Sequence, residues 1–377
     1  MRHACLAALF LVSAPTLAAD KTEQSAEFFK PTGPVPVFKI DVDKANLDAL
    51  RREPRKYVKC TLKVGDQTFK DVAMHMKGAA GSFRQWDDKP ALTLNMDKFV
   101  SGQTYRGLDK FHLNNSVQDG TYFDEIICSE MALAAGVPTA RATHALVELN
   151  GRKVGFYVLK EGYDKTFLRR HFSDPSGNLY DGGFLTDIDA PLRLDSGKGN
   201  DRKDLKELVA ACREPNLEKR FAALDKKMDV DKMVSNACMQ VIATDWDGYC
   251  RNRNNYRLYF DPKSQKAVFI PHGMDQMFGS PQEGLWPGWG GLAARALFET
   301  PEGKKRFIAR LKEMTEKQFD VNKIFQRMDE FIPRAKEAME SVQKGSGKAW
   351  EAGEVKALKD RLRQRAEYLK KELPKLK

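Results

Sequence analysis

Asp245-Trp-Asp-Gly-Tyr-Cys-Arg-Asn-Arg-Asn-Asn255 joins two segments of different periodicity. Upstream, Met233, Val234, Ala237, Cys238, Val241 and Ile242 share one side of a helix predicted near 230–243. Downstream, Tyr256 to Phe260, an Asp261-Pro262 turn and Ala267 to Ile270 predict a hairpin. The hairpin delivers Pro271-His-Gly-Met-Asp-Gln-Met-Phe-Gly279. Asp247 and Asn252 therefore stand five residues apart, and Asp275 comes just after the second strand.

That order matches what phosphoryl transfer requires. One carboxylate orients the acceptor hydroxyl, an amide and a second carboxylate hold metal on the nucleotide phosphates, and a lysine neutralises phosphate charge. Asp247 is the candidate for the first role, and Asn252 and Asp275 are the candidates for the metal. Asp and Asn are common, so a single spacing is weak. The ordered set of helix, Asp-x4-Asn, hairpin and Asp is more specific. The alternative is that these residues only cap helices and form turns.

The first half of the chain supplies complementary parts. Cys60 to Val64 and Val72 to Met76 alternate with period two, and Ala91 to Met96 predicts a third strand. The loop between the last two contains Gly78 and Gly81, whose backbone could approach phosphates closely. Ser82, Arg84 and Lys89 add donors and positive charge. A helix predicted over 122–135 places Glu130 beside its apolar face, as a partner for Lys89. His144 to Leu149, Asn150-Gly151 and Val154 to Leu159 predict a second hairpin. Glu161 ends it and is a candidate for the nucleotide pocket. For each of these residues, a plain surface or turn role is the competing reading.

Composition sets the frame. The chain has 377 residues with 42% hydrophobic content, enough for one large bilobed domain. The element order predicts an α+β architecture, sheet-rich first and helical later. Val355, Leu358, Leu362, Leu369 and Leu373 continue a helical pattern near the end. Residues 1–19 read as an export signal, with Arg2 and His3, the apolar run Cys5 to Val12 and small residues before Asp20. The product is then periplasmic, cell-surface or extracellular, and its mature chain has no transmembrane segment. Residues 20–36, with three prolines, read as a polar linker. The domain proper spans 37–375, divided at about 164/165. Five cysteines remain after such a cleavage and read as buried free thiols. The net charge is +11, and residues 301–377 carry 21 Lys or Arg against 13 Asp or Glu. This hints at an acidic partner, while the absence of nucleic-acid-binding signatures argues against nucleic acid.

Several stretches resemble the spore-coat CotH kinase family. They are Tyr105-Arg-Gly-Leu-Asp-Lys-Phe-His-Leu-Asn-Asn115, Gly136-Val-Pro138, Tyr157-Val-Leu-Lys-Glu161 and Gly177-Asn-Leu-Tyr180. Stronger still are Asp247-Gly-Tyr249 with Asn252, Asn254-Asn-Tyr256, Phe269-Ile-Pro271 and Asp275 to Gly279, followed by Arg365-Ala-Glu-Tyr-Leu369. The resemblance spans roughly 35–375. It implies an atypical protein-kinase-like fold, ATP with Mg2+ or Mn2+, and phosphorylation of Ser/Thr on a protein partner, acidic or Ser-rich. By it, Asp247 matches the catalytic-loop Asp, with Asn252 and Asp275 on the metal. Gly78, Ser82, Arg84 and Lys89 match the family's Gly-x-x-x-Ser-x-Arg and Lys pattern only loosely.

One position departs. Where the family commonly has Pro-Trp-Asp-x-Asp, this chain has Pro271-His-Gly-Met-Asp275, so Gly273 replaces a carboxylate. A catalytically weak binding protein or adhesin on the same scaffold is therefore one rival reading. Nucleotidyl or glutamyl transfer is another, because a fold does not dictate its chemistry. Trp286 and Trp289 sit where a kinase would face its substrate, and are expected either to grip a partner or to pack under helices.

Overall fold

The structure is a computed structural model describing residues 21–198 and 201–376. The segment read as an export signal lies outside the described residues.

Seven strands form a closed barrel in the order β1-β2-β3-β4-β5-β7-β6. They are β1 (Val37–Asp41), β2 (Val58–Val64), β3 (Gln67–Lys77), β4 (Ala91–Asn95), β5 (Lys110–Asn114), β6 (Ala142–Leu149) and β7 (Arg152–Glu161). All neighbours pair antiparallel except β1 with β6, whose parallel pairing closes the barrel. The period-two pattern read in β2 survives as strict alternation of buried with more exposed residues. Phe38, Ile40, Leu62, Met74, Leu94, Phe111, Tyr157 and Leu159 help fill the interior.

Helix α1 (Lys21–Phe28) precedes the barrel and α2 (Lys44–Arg52) follows β1. The segment expected to be a polar linker is thus partly structured. Its one aromatic pair is the reason: Phe29 is buried in the barrel core and Phe28 meets Tyr105 edge-on at 5.4 Å.

Helix α3 (Asp124–Ala134) connects β5 to β6. After α4 (Lys165–His171), strands β8 (Leu179–Asp181), β9 (Arg193–Ser196), β10 (Tyr256–Asp261) and β11 (Lys266–Pro271) make a second sheet in the order β11-β10-β8-β9. Between β9 and β10 lie α5 (Lys203–Cys212), α6 (Leu217–Lys227), α7 (Val230–Ile242) and the single turn α8 (Tyr249–Asn252). Five more helices finish the chain: α9 (Leu292–Phe298), α10 (Pro301–Lys317), α11 (Val321–Val342), α12 (Ser346–Trp350) and α13 (Lys356–Glu372). The result is a mixed α+β molecule, sheet-rich first and helical later. The short second sheet inside the helical part was not read from the sequence beyond its β10–β11 hairpin. No helix among the described residues is long and apolar enough to cross a membrane.

The largest core lies among α3, α7, α10, α11 and α13. Trp289 packs against this core, whereas Trp286 stays 38% exposed although both rings lie edge-on to Phe307 at 5.3 Å. All five cysteines outside the first 20 residues are buried and unpaired.

Arg365 on α13 is fully buried. It donates to the carbonyls of Val241 at 2.5 Å and Ile242 at 3.1 Å, which end α7, and to Pro281 at 3.1 Å and Glu283 at 2.7 Å. One guanidinium thus satisfies carbonyls on both sides of the 244–280 region, and its fork geometry allows this where an ammonium would not. Arg365→Leu removes all four of these bonds, leaving Val241 O only the Thr244 amide at 3.3 Å, and is expected to cost about 2–4 kcal/mol in urea unfolding. Arg365→Lys should recover less than half of that loss.

Candidate active site

The loop after α7 turns sharply. Thr244, Arg253 and Asn255 adopt positive φ of 51°, 55° and 51°. Buried bonds hold it in place: Cys250 N donates to Gln240 Oε1 at 3.2 Å, and Tyr249 Oη donates to Asp187 at 3.1 Å. His272 N donates to Asn255 O at 3.0 Å, tying the loop to the end of β11.

This architecture sets Asp247 inside a ring of amides. Asn252 Nδ2 donates to Asp247 Oδ1 at 2.7 Å, while Asn254 and Asn255 each donate to Oδ2 at 3.0 Å. Oδ2 is fully occupied, whereas Oδ1 holds one amide and keeps a lone pair free. Asp247, Asn254, Asn255 and Asp275 line one cleft of about 480 Å3. Asn252 does not line that cleft. Its side chain braces Asp247 from behind, and the amides facing the cavity are its two neighbours.

The opposite wall comes from the barrel. Lys77 ends β3 and donates to Asn114 on β5. Lys160 on β7 pairs with Glu125 on α3 at 2.7 Å, with only 2% and 1% of the two residues exposed. Burial disfavours the Lys160 charge, but Glu125 holds its pKa above the ordinary lysine value. Burial, then Lys160, pushes Lys77 down to about 8. Asp275 is pushed up to about 7, first by desolvation and then by Glu125.

The Gly78–Ser82 loop forms part of the rim. Gly78 has φ of +110°, and a Cβ there would meet the Phe83 backbone at 3.0 Å. Arg55 donates to the Gly78 carbonyl, and Ser82 Oγ accepts from Ala79 N at 3.0 Å. Asn115 Nδ2 anchors the loop through Ser82 O at 3.0 Å and Lys89 O at 2.8 Å. Gly78, Ser82 and Arg55 all line the cleft.

Besides Asn252, four more predicted residues lie outside the cleft. Lys89 is not paired with Glu130: its Nζ donates to Tyr122 Oη at 2.8 Å and sits over the Tyr122 and Tyr157 rings. Glu130 binds Arg327 of α11 at 2.7 Å. Glu161 is taken up by Arg141 and Arg170. Arg84 turns back to the carbonyls of Gly81 and Phe83 at 3.0 and 2.9 Å. The lysine–glutamate pair expected of Lys89 and Glu130 is therefore formed by Lys160 and Glu125. Strand parity could have found Lys160: Tyr157 and Leu159 fill the barrel, so residue 160 faces α3 with Phe156 and Val158. No comparable signal marked Glu125, because α3 is buried around most of its circumference.

The donors present suit a hard cation. Asp275, Asn254 and Asn255 line the cleft and carry hard oxygen donors. No group of three or more His, Cys, Asp or Glu forms a closed cage among the described residues. An ion would thus complete its shell with phosphate and water, as magnesium commonly does. Gly273 has φ of +63°, and a Cβ there would fall 2.5 Å from Asn255 Oδ1. The Asn255 amide already fills the space into which a side chain at 273 would project.

Residues 74–369 match the family described as CotH kinase protein. The inner spore coat protein H of Bacillus subtilis (strain 168) is 24% identical over 200 residues, covering 48% of this chain and 53% of that protein. The chain thus spans about half the length of that relative. A crystal structure of the Helicobacter pylori proinflammatory kinase CtkA aligns with a TM-score of 0.37 at 10% identity, covering 80% of this chain and 97% of the other. With 74–369 matched, from the third barrel strand to the last helix, the chain belongs to the CotH kinase protein family.

Proposed function

We propose that this protein is an ATP- and metal-dependent phosphotransferase acting on a Ser or Thr hydroxyl of a protein, on an atypical, bilobed kinase-like scaffold. The observation that carries the reading is the cleft itself. An amide-braced carboxylate, Asp247, and a second carboxylate, Asp275, face Lys77 and the buried Lys160–Glu125 pair.

Asp247 Oδ1 accepts the acceptor hydroxyl and takes its proton. The new bond forms from the acceptor oxygen to the γ-phosphorus, and the bond to the β,γ-bridging oxygen breaks, leaving ADP. Lys77 and Lys160 offset phosphate charge, and the Gly78–Ser82 loop covers the phosphates with its backbone. Bound Mg2+ or Mn2+ would neutralise developing charge on the phosphates, held by Asp275 with the Asn254 and Asn255 amides beside it. In this scheme Lys160 takes the role first read into Lys89, and Asn252 serves by fixing Asp247. The export reading of residues 1–19 would place this chemistry outside the cytoplasm.

Gly273 favours a second reading, a kinase-like binding protein of low activity, because one acidic ligand is absent. Intact-mass analysis with ATP and either metal separates the possibilities. A phosphoryl adduct on protein in wild type but not in Asp247→Ala supports the proposal. A nucleotidyl or glutamyl mass replaces it, and equal labelling of both proteins removes Asp247 from its role.

The two lysines are separable. Lys160→Met should abolish ATP-analogue binding, read by fluorescence titration, whereas Lys89→Met should leave the affinity nearly unchanged. Acidification should also weaken metal-dependent nucleotide binding, since protons compete for Asp275 below about 7. Affinity at pH 6 is expected to be about tenfold below that at pH 8. Asp275→Asn should be weak at both pH values and lose the dependence.

A further inference from the structure

Helix α3 begins with two carboxylates in succession, Asp124 and Glu125, and both are buried. Glu125 Oε1 accepts from Met274 N at 2.8 Å. Asp124 Oδ2 accepts from Met277 N at 2.9 Å. These two amides flank Asp275-Gln276, so the bonds act as a strap with one point on each side of the candidate metal carboxylate. Asp124 is itself aligned from behind: its N–H donates to Asp119 Oδ2 at 3.2 Å, and Asp119 Oδ1 accepts from Thr121 N at 2.9 Å. Farther along, Phe278 N donates to Ala243 O at 2.7 Å, which ends the mobile length of the segment at the close of α7.

We infer that Asp124 is a positioning residue that fixes Asp275 through the Met277 amide, so that placement of α3 and placement of the cation ligand are one event. Glu125 cannot do this alone. A segment held at Met274 and next at Phe278 leaves three residues between them able to turn, and Asp275 is the first of these. With Met277 held as well, its two ends share the helix that carries the partner of Lys160. A displacement of α3 would then disturb the lysine and the carboxylate together. An Asp here is costly, because burial lifts its pKa well above the usual range and its Oδ1 has no hydrogen-bond partner. The acceptor it offers Met277 is the local return for that cost.

The inference rests on the proposed nucleotide and cation site. Its test is Mn2+ affinity, read by electron paramagnetic resonance with a non-hydrolysable ATP analogue, in wild type, Asp124→Asn, Asp124→Leu and Asp124→Glu. Asp124→Asn keeps an acceptor oxygen and should remain near wild type. Asp124→Leu keeps the branched shape, with bulkier methyls and no acceptor, and should bind Mn2+ about tenfold more weakly. Its metal-free binding of the analogue, governed by Lys160, should change little, a split that a loss of stability alone does not produce. Asp124→Glu, displaced by one methylene, should also weaken Mn2+ and serves if the leucine variant does not fold. Wild-type Mn2+ affinity in a folded Asp124→Leu or Asp124→Glu protein overturns the inference and leaves the nucleotide site standing. No Mn2+ or analogue binding by wild type overturns the proposed site as well.

Discussion

Glu125 is where three distant parts of the chain meet. Its carboxylate accepts Lys160 from the barrel and the Met274 amide from the strand end that precedes Asp275. Neither Glu125 nor Lys160 has appreciable contact with water. Desolvating such a pair costs several kcal/mol per ion, and their attraction repays it only with good geometry and further hydrogen bonds. An apolar pair of the same volume would hold α3 on β7 comparably. It would not aim an ammonium into the cleft or hold the approach to Asp275. The pair therefore makes physical sense as an orienting device more than as a source of stability.

Around that junction the cleft carries both signs of charge. The barrel side contributes Lys77, Lys160 and the Arg55 beside the Gly78 loop, the loops after α7 and β11 contribute Asp247 and Asp275, and the second sheet adds Arg257 and Asp181. In the proposed phosphotransferase, a polyanion with an associated cation would lie between these groups, with the carboxylates on the cation and acceptor side. Gly273 shifts the balance toward positive charge, and Asn255 offers a neutral oxygen at the same place. Arg365 supports the anionic wall from beneath. By bonding carbonyls at the end of α7 and after Gly279, it makes the two acidic loops parts of one rigid base.

Local chemistry was legible wherever it is written in contiguous residues. The Asn150-Gly151 turn, the β10–β11 hairpin, the helix over Val230–Ile242 and the nearness of Asp247 to Asp275 follow from periodicity and turn residues within short windows, whereas Asn252, read with them as a metal residue, does not line the cleft. The pairing of charges was not. Lys89 and Glu130 look as suitable as Lys160 and Glu125 in the sequence, because a charged residue within an apolar pattern declares only that it needs a partner. Two aromatic rings and a hydroxyl satisfied Lys89, and Arg327, far along the chain, satisfied Glu130.

The sequence by itself determined the order of elements, the family resemblance and the placing of Asp247 and Asp275 at either end of the β10–β11 hairpin, since those depend on spacings of a few residues. Tertiary structure decided which lysine faces the cleft, which glutamate meets it and which amides brace Asp247. It also decided that the chain from Val37 to Glu161 closes into a barrel through the parallel pairing of β1 with β6. The reason is common to all of these. Each is set by which groups are desolvated together, from the nearby amides that brace Asp247 to strands more than a hundred residues apart, and a buried charge or strand edge accepts whichever partner the closed fold brings within hydrogen-bond reach.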